Sequence, residues 1–297
     1  MGRSSRHPRQ AGFTLVEAVI VIAIIGIVGA IVAVFIRLPV QNYADSVARA
    51  ELSDEADLAL RRMTRELRVA LPNSVRVNAD GSAIEFLLTK TGGRYMALED
   101  QQPATVPVLD FVDGARTLTV SGTLTRSVNK GDYFVVYNLG EGLAPADAWG
   151  LETGDSNIAR ISTAVAAGAQ PALLTLDDNP FSKQSVSMPS PEQRFQIVSG
   201  PVTFACAPAA DGALVLTRFA DYAIKASQVN PPLNASAAPL ARRVNSCAGI
   251  FSFDTASSAQ RTALVTITLE LAARAVAGTA APSAVRLVHQ VHLDNTP

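Results

Sequence analysis

Hydrophobic and polar positions divide the chain into stretches with different periodicities. From Ala18 to Ile36 no residue is charged, and Ile, Val and Ala predominate. As a helix rising about 1.5 Å per residue, this run spans roughly 28 Å, close to the ~30 Å hydrocarbon core of a bilayer. The pattern predicts a membrane-spanning helix over about residues 15–36. Gly26, Gly29 and Ala30 leave small spots on its surface. These are either close-packing points between helices or ordinary membrane-helix small residues.

Beyond Arg37 the pattern becomes amphipathic. Tyr43, Val47 and Ala50, then Ala56, Leu60, Met63 and Leu67, recur at spacings of three and four, the period of a helix with one apolar face. The stripe slips between Ala50 and Ala56, so the face rotates there or a small break intervenes. Asp54, Asp57, Arg61, Arg65 and Arg68 line the opposite side, with Asp57 four residues before Arg61. Pro39 is expected to kink or interrupt the helix. Leu71-Pro72-Asn73 is expected to end it, because the residue before a proline disfavours helical geometry.

From Ser74 onward the pattern is that of strands. The runs 84–88, 133–137, 194–198, 214–219 and 263–271 are rich in β-branched and aromatic residues and bounded by Gly, Pro, Asn or Asp. No helix-length periodic segment alternates with them, which argues against a parallel βαβ sheet. The predicted class is α+β: a long N-terminal helix, half transmembrane and half amphipathic, packed on a mainly antiparallel β-sheet domain. The division is a leader over 1–12, the helix over 13–71 and a β-rich globular domain over 72–297. Residues 140–192 and 226–242, rich in Ala, Pro, Gly, Ser and Asn, read as loops or excursions. No internal repeat is evident.

Charge changes the picture at the N-terminus. The net charge is only -1, which gives no long-range field to gather nucleic acid. Residues 1–12, however, carry Arg3, Arg6 and Arg9 and no acid, the profile of a segment retained on the cytoplasmic side while the rest crosses the membrane. An ordinary signal peptide puts its apolar run before the cleavage point. In this chain the candidate processing point, Gly12, precedes that run, so cutting there leaves the helix on the mature protein. Glu17 stands at the head of the same helix, where a carboxylate costs about 2.5–3.5 kcal/mol on insertion scales. The nearest candidate cation is the α-amine that cleavage creates on Phe13, presented by a neighbouring subunit. The alternative is a hydrated Glu17 at the interface.

The remaining candidate chemistry is sparse. Cys206 and Cys247 lack the spacing and paired histidines of a zinc site. In an oxidising compartment they form a disulfide; otherwise they are two separate thiols. Gly154-Asp155-Ser156-Asn157 superficially resembles a serine-hydrolase motif, but His289, His292 and Asp294 do not supply the expected base in the expected order. His289 and His292, three apart on a strand, point to opposite faces and make a poor metal pair; His7 falls in the leader. Asp177-Asp178-Asn179 and Asp110 with Asp113 read as turns, without the spacing of a calcium loop. Walker, Rossmann and HExxH motifs are absent. The arginines of 61–68 are interleaved with acids and lack aromatics, which favours a solvated or subunit-facing surface over nucleic-acid binding. The expectation is a non-enzymatic protein with no cofactor, no catalytic residue, no metal and no nucleic-acid partner.

Gly12-Phe13-Thr14-Leu15-Val16-Glu17, behind a short basic leader and ahead of a bilayer-length helix, resembles the processing and methylation motif of type IV pilins and type II secretion pseudopilins. The resemblance implies cleavage by prepilin peptidase between Gly12 and Phe13, N-methylation of Phe13, and a docking role for Glu17. It covers the first tenth of the chain. Val34 to Val40, Arg49 to Leu52, Ala70 to Arg76, Arg194 to Cys206 and Val288 to Pro297 resemble, more finely, a minor pilin of MSHA-type pili. That implies a low-copy subunit that primes or caps the pilus; adhesion by the β-rich domain is a separate possibility that no motif marks. The implied partners are major and minor pilins, prepilin peptidase, the inner-membrane assembly platform and inner-membrane lipid. The implied location is the inner membrane with the C-terminal domain in the periplasm, then the pilus tip. The alternatives are a minor pseudopilin of a type II secretion system or a membrane-anchored periplasmic enzyme.

Overall fold

The computed structural model describes residues 12–151, 153–254, 262–273 and 284–297. The leader, except Gly12, and His7 therefore lie outside the described residues. The chain divides into two units, residues 1–51 and 52–297, and the helix α1 (Leu15–Leu67) contributes to both.

In the first unit, the stretch Leu15–Ala33 is long and apolar enough to cross a membrane, with mean hydropathy 2.9 and none of it buried. Of the two outcomes expected at Pro39, a kink or an interruption, the interruption does not occur: the helical run is unbroken there. A proline removes one intrahelical hydrogen bond, and a long helix can carry that loss. Tyr43, Val47 and Ala50 do not extend the buried stripe. Tyr43, Val47 and Ala50 are all exposed, Val47 at 39%.

In the second unit the buried stripe begins at Leu52 and continues through Ala56, Ala59, Leu60, Met63 and Leu67. Leu52 sits four residues before Ala56, so the expected slip is filled without a break. Burying Leu52, Leu60, Met63 and Leu67 contributes about 6–12 kcal/mol at 1.5–3 kcal/mol each. Asp57 and Arg61 form the predicted exposed pair at 2.7 Å. The helix ends at Leu67, before the expected Leu71. The chain is drawn into the sheet instead: Ala70 bridges Leu88, and the Leu71 amide donates to the Leu87 carbonyl at 2.8 Å.

Twelve strands are described: β1 (Arg76–Val77), β2 (Ala83–Tyr95), β3 (Thr117–Ser121), β4 (Tyr133–Val135), β5 (Ile158–Arg160), β6 (Leu173–Thr175), β7 (Arg194–Pro208), β8 (Leu214–Ala220), β9 (Ser236–Ala241), β10 (Phe251–Asp254), β11 (Thr262–Ala272) and β12 (Ala284–Asp294). All pairings between them are antiparallel. The large sheet runs β5-β4-β7-β2-β3-β6, with β1 on β2 and β8 then β9 on β7; β10-β11-β12 form a second sheet. The α+β class is as the sequence predicts. Of the stretches read as loops or excursions, 140–192 contains β5, β6 and a short 3₁₀ turn (Pro180–Lys183), and 226–242 contains β9, so both are more than loops.

The β2–β7 ladder organises the core. Alternation puts Ile84 and Phe86 on the face that meets α1, in one cluster with Val202, Phe204 and the second sheet's Val265, Ile267 and Val291. Leu87, of opposite parity, faces Tyr133, Val135 and Trp149. The pairing shifts register between Leu87 and Thr91. Beyond the shift, Tyr95, Phe195 and Ile197 build a further cluster with Phe134 and Phe181. Gly81, at φ +68, lets the turn into β2 pass under β10; a Cβ there would meet the Phe251 carbonyl oxygen at 2.6 Å.

Candidate functional site

Helix α1 starts because Thr14 caps it. The Thr14 carbonyl accepts the first helical bond from the Ala18 amide at 3.2 Å, and its hydroxyl accepts from the Glu17 amide at 3.3 Å. The Glu17 carboxylate lies 3.5 Å from that hydroxyl. Thr14-x-x-Glu17 is thus a capping-box sequence in which the acid meets the cap's side chain. The sequence reading overlooked this arrangement, although Thr followed three residues later by Glu, ahead of an apolar run, is its signal. The position at the helix N-terminus also favours a negative charge through the helix dipole. Glu17 is exposed, as are Gly12, Phe13 and every described side chain from Leu15 to Ala33. The first turn therefore presents an oriented carboxylate and a bare apolar surface side by side. Gly26 and Gly29 have open space around them, as an unassociated helix leaves them.

The other candidates resolve into structural roles. Cys206 on β7 and Cys247 after β9 form a disulfide, with Cα atoms 5.3 Å apart. Ser156 is buried, and its hydroxyl accepts from the Ile158 amide at 3.3 Å. Asp155 accepts from the Ser185 amide and hydroxyl. His289 and His292 are both exposed on β12, paired opposite Ile267 and Leu264, so their parity places them on opposite faces. Asp178 is held below the usual carboxylate range, first by its hydrogen bond from Lys183. The Asn179 amide donates to the carbonyls of Asp110, Asp113 and Ala115, so the acidic segments are tied as turns. Among the described residues no group of three or more His, Cys, Asp or Glu is arranged to hold a metal ion.

The most constrained polar group in the second unit is one the sequence does not announce. Arg76 is buried and donates to Glu85 at 2.7 Å, to Glu141 at 2.9 Å and to the carbonyls of Lys225 and Ala226. Its guanidinium lies 3.7 Å over the Trp149 ring. Tyr222 donates to the other Glu85 oxygen at 2.7 Å. Burial, reinforced by the Glu85 charge, pushes the Tyr222 hydroxyl well above the usual phenol range. It stays a donor at physiological pH. These partners come from segments far apart in sequence, and they join β1 and β2 to the long connections.

Residues 7–33 match the model of the prokaryotic N-terminal methylation motif. The motif is type IV pilin-like; it supports the pilin or pseudopilin family and suggests a structural subunit. The matched span includes Gly12, Phe13 and Glu17, and together with the apolar helix it fits a membrane-anchored subunit that assembles with other pilins. No curated protein and no solved structure matches the chain.

Proposed function

We propose that the protein is a minor pilin of an MSHA-like type IV pilus, most like the minor pilin MshO, held in the inner membrane until it is assembled. Prepilin peptidase cuts between Gly12 and Phe13, and the new amine of Phe13 is methylated. Glu17 of the incoming subunit then pairs with the Phe13 amine of its neighbour. The pairing offsets two desolvation costs at once, and the apolar helices close together around it. The leader, the helix and the β-rich part act as three successive segments: removed, embedded and displayed. The minor role rests on the five stretches of resemblance in the body of the chain.

The observation that carries this reading is the oriented, exposed Glu17 at the head of a 19-residue apolar stretch with no buried residue. A carboxylate so placed requires a cationic partner once lipid surrounds it. Mass spectrometry of the mature N-terminus is the direct test, with N-methyl-Phe13 expected and an intact leader overturning the reading. Glu17→Gln, expressed at normal level, is expected to stay out of the pilus; incorporation at the parental level removes the pairing argument. Deleting the gene distinguishes the two machines, because loss of secretion with normal pili assigns the subunit to a type II system.

A further inference from the structure

Within the second unit, a groove of about 860 Å³ is lined by the end of α1, β2, β7, β8 and the loop after β3. Five cations border it: Arg65, Arg68, Lys90, Arg126 and Arg218. Two of these are neutralised. Lys90 pairs with Asp132 at 2.8 Å, and Arg218 pairs with Glu66 at 2.7 Å. Arg65, Arg68 and Arg126 are exposed, and among the described residues none has a carboxylate at ion-pair distance. A helix C-terminus favours cations in its last turn, which accounts for Arg65 and Arg68. It does not account for Arg126, which a separate loop brings to the same groove.

We propose that this groove docks an acidic polypeptide segment of a neighbouring protein, with Arg65, Arg68 and Arg126 receiving its carboxylates. Guanidinium groups match carboxylates as planar two-point donors. The wall beside them is apolar, with Val69 at 48% exposed and Leu88 and Pro72 adjoining, so it suits a peptide's aliphatic portions. The lining holds no aromatic side chain, so it lacks the aromatic platform on which single-stranded nucleic-acid sites stack successive bases. Asp294 and the neutral Arg218–Glu66 pair interrupt the positive field. They oppose a continuous polyphosphate but leave separate sites for spaced carboxylates. Thr89, in the same lining, also has a buried hydroxyl with no hydrogen-bond partner. The proposal concerns a surface remote in sequence from the methylation motif and does not depend on the pilin reading.

The test uses the full chain in detergent micelles and fluorescence anisotropy with a short labelled oligoglutamate, at low and raised salt. Binding that weakens with salt is expected. The combined Arg65→Gln, Arg68→Gln and Arg126→Gln variant is expected to bind about tenfold more weakly, as three exposed ion pairs imply. Arg126→Ala alone, on its exposed loop, guards against a folding defect and is expected to weaken binding about twofold. Unchanged binding in both variants overturns the proposal. So does tighter binding of an oligothymidylate of equal charge, which assigns the groove to nucleic acid.

Discussion

Replacing Arg76 by Met tests how the second unit holds together. The substitution keeps much of the side-chain volume over Trp149 but removes every donor from a group whose side chain is 7% exposed. It leaves the Glu85 carboxylate, 3% exposed, with Tyr222 as its remaining side-chain donor, and strips the carbonyls of Lys225 and Ala226 of Arg76's bonds. Removing one member of a buried ion pair typically costs about 3–5 kcal/mol. In a domain of this size each kcal/mol lowers Tm by about 2–4 °C, so a fall of roughly 6–20 °C is expected. The assay is thermal unfolding of the full chain in detergent, followed by near-ultraviolet circular dichroism. Arg61→Ala is the control, because its pair with Asp57 is exposed and is worth about 0–0.5 kcal/mol. The double variant Arg76→Met/Glu85→Leu is expected to be more stable than Arg76→Met alone, since no charge is then buried without its partner. If Arg76→Met and Arg61→Ala melt within a degree of each other, the argument from burial is wrong.

Two further predictions concern the β-rich part. The Cys206–Cys247 bond closes a separation of 41 residues; replacing both cysteines by serine is expected to cost roughly 4 kcal/mol, seen as a lower melting temperature. Labelling of two thiols in unfolded, unreduced protein would contradict the bond. Burial pushes the Tyr95 hydroxyl up to about 12, whereas an unfolded tyrosine ionises near 10. The folded state therefore retains its proton longer, and this stability is complete below about pH 10 and falls as pH rises towards 12, by about 2–3 kcal/mol. Alkaline unfolding of Tyr95→Phe should show a shallower slope, and an identical slope would refute the assignment.

Legibility in the sequence followed the range of the interactions. The apolar span needs only an absence of charge, and α1's buried face in the second unit needs only a spacing of three and four. Strands such as β8 and β11 declare themselves through β-branched residues. β9 does not: Ser236 to Ala241 reads SAAPLA, and it is a strand because β8 offers it a partner on one side. Pro239 is tolerated there because an edge strand leaves main-chain groups unpaired anyway. The sequence puts the helix end too late because Pro72 is a local signal and the pairing of Ala70 with Leu88 is not. At the candidate site, Gly12, Phe13 and Glu17 were legible as a local motif. Arg76 was not, because nothing near it in sequence foretells Glu141 or Lys225.

The long β2–β7 ladder has a consequence for how such a domain diversifies. One end belongs to the core that receives α1, the other to the cluster around Phe134, Phe181 and Phe195, with the register shift at Leu87 to Thr91 between them. The far end is therefore a graft site. Loops and short strands there can lengthen, shrink or be exchanged in descent while the helix-bearing end keeps its packing.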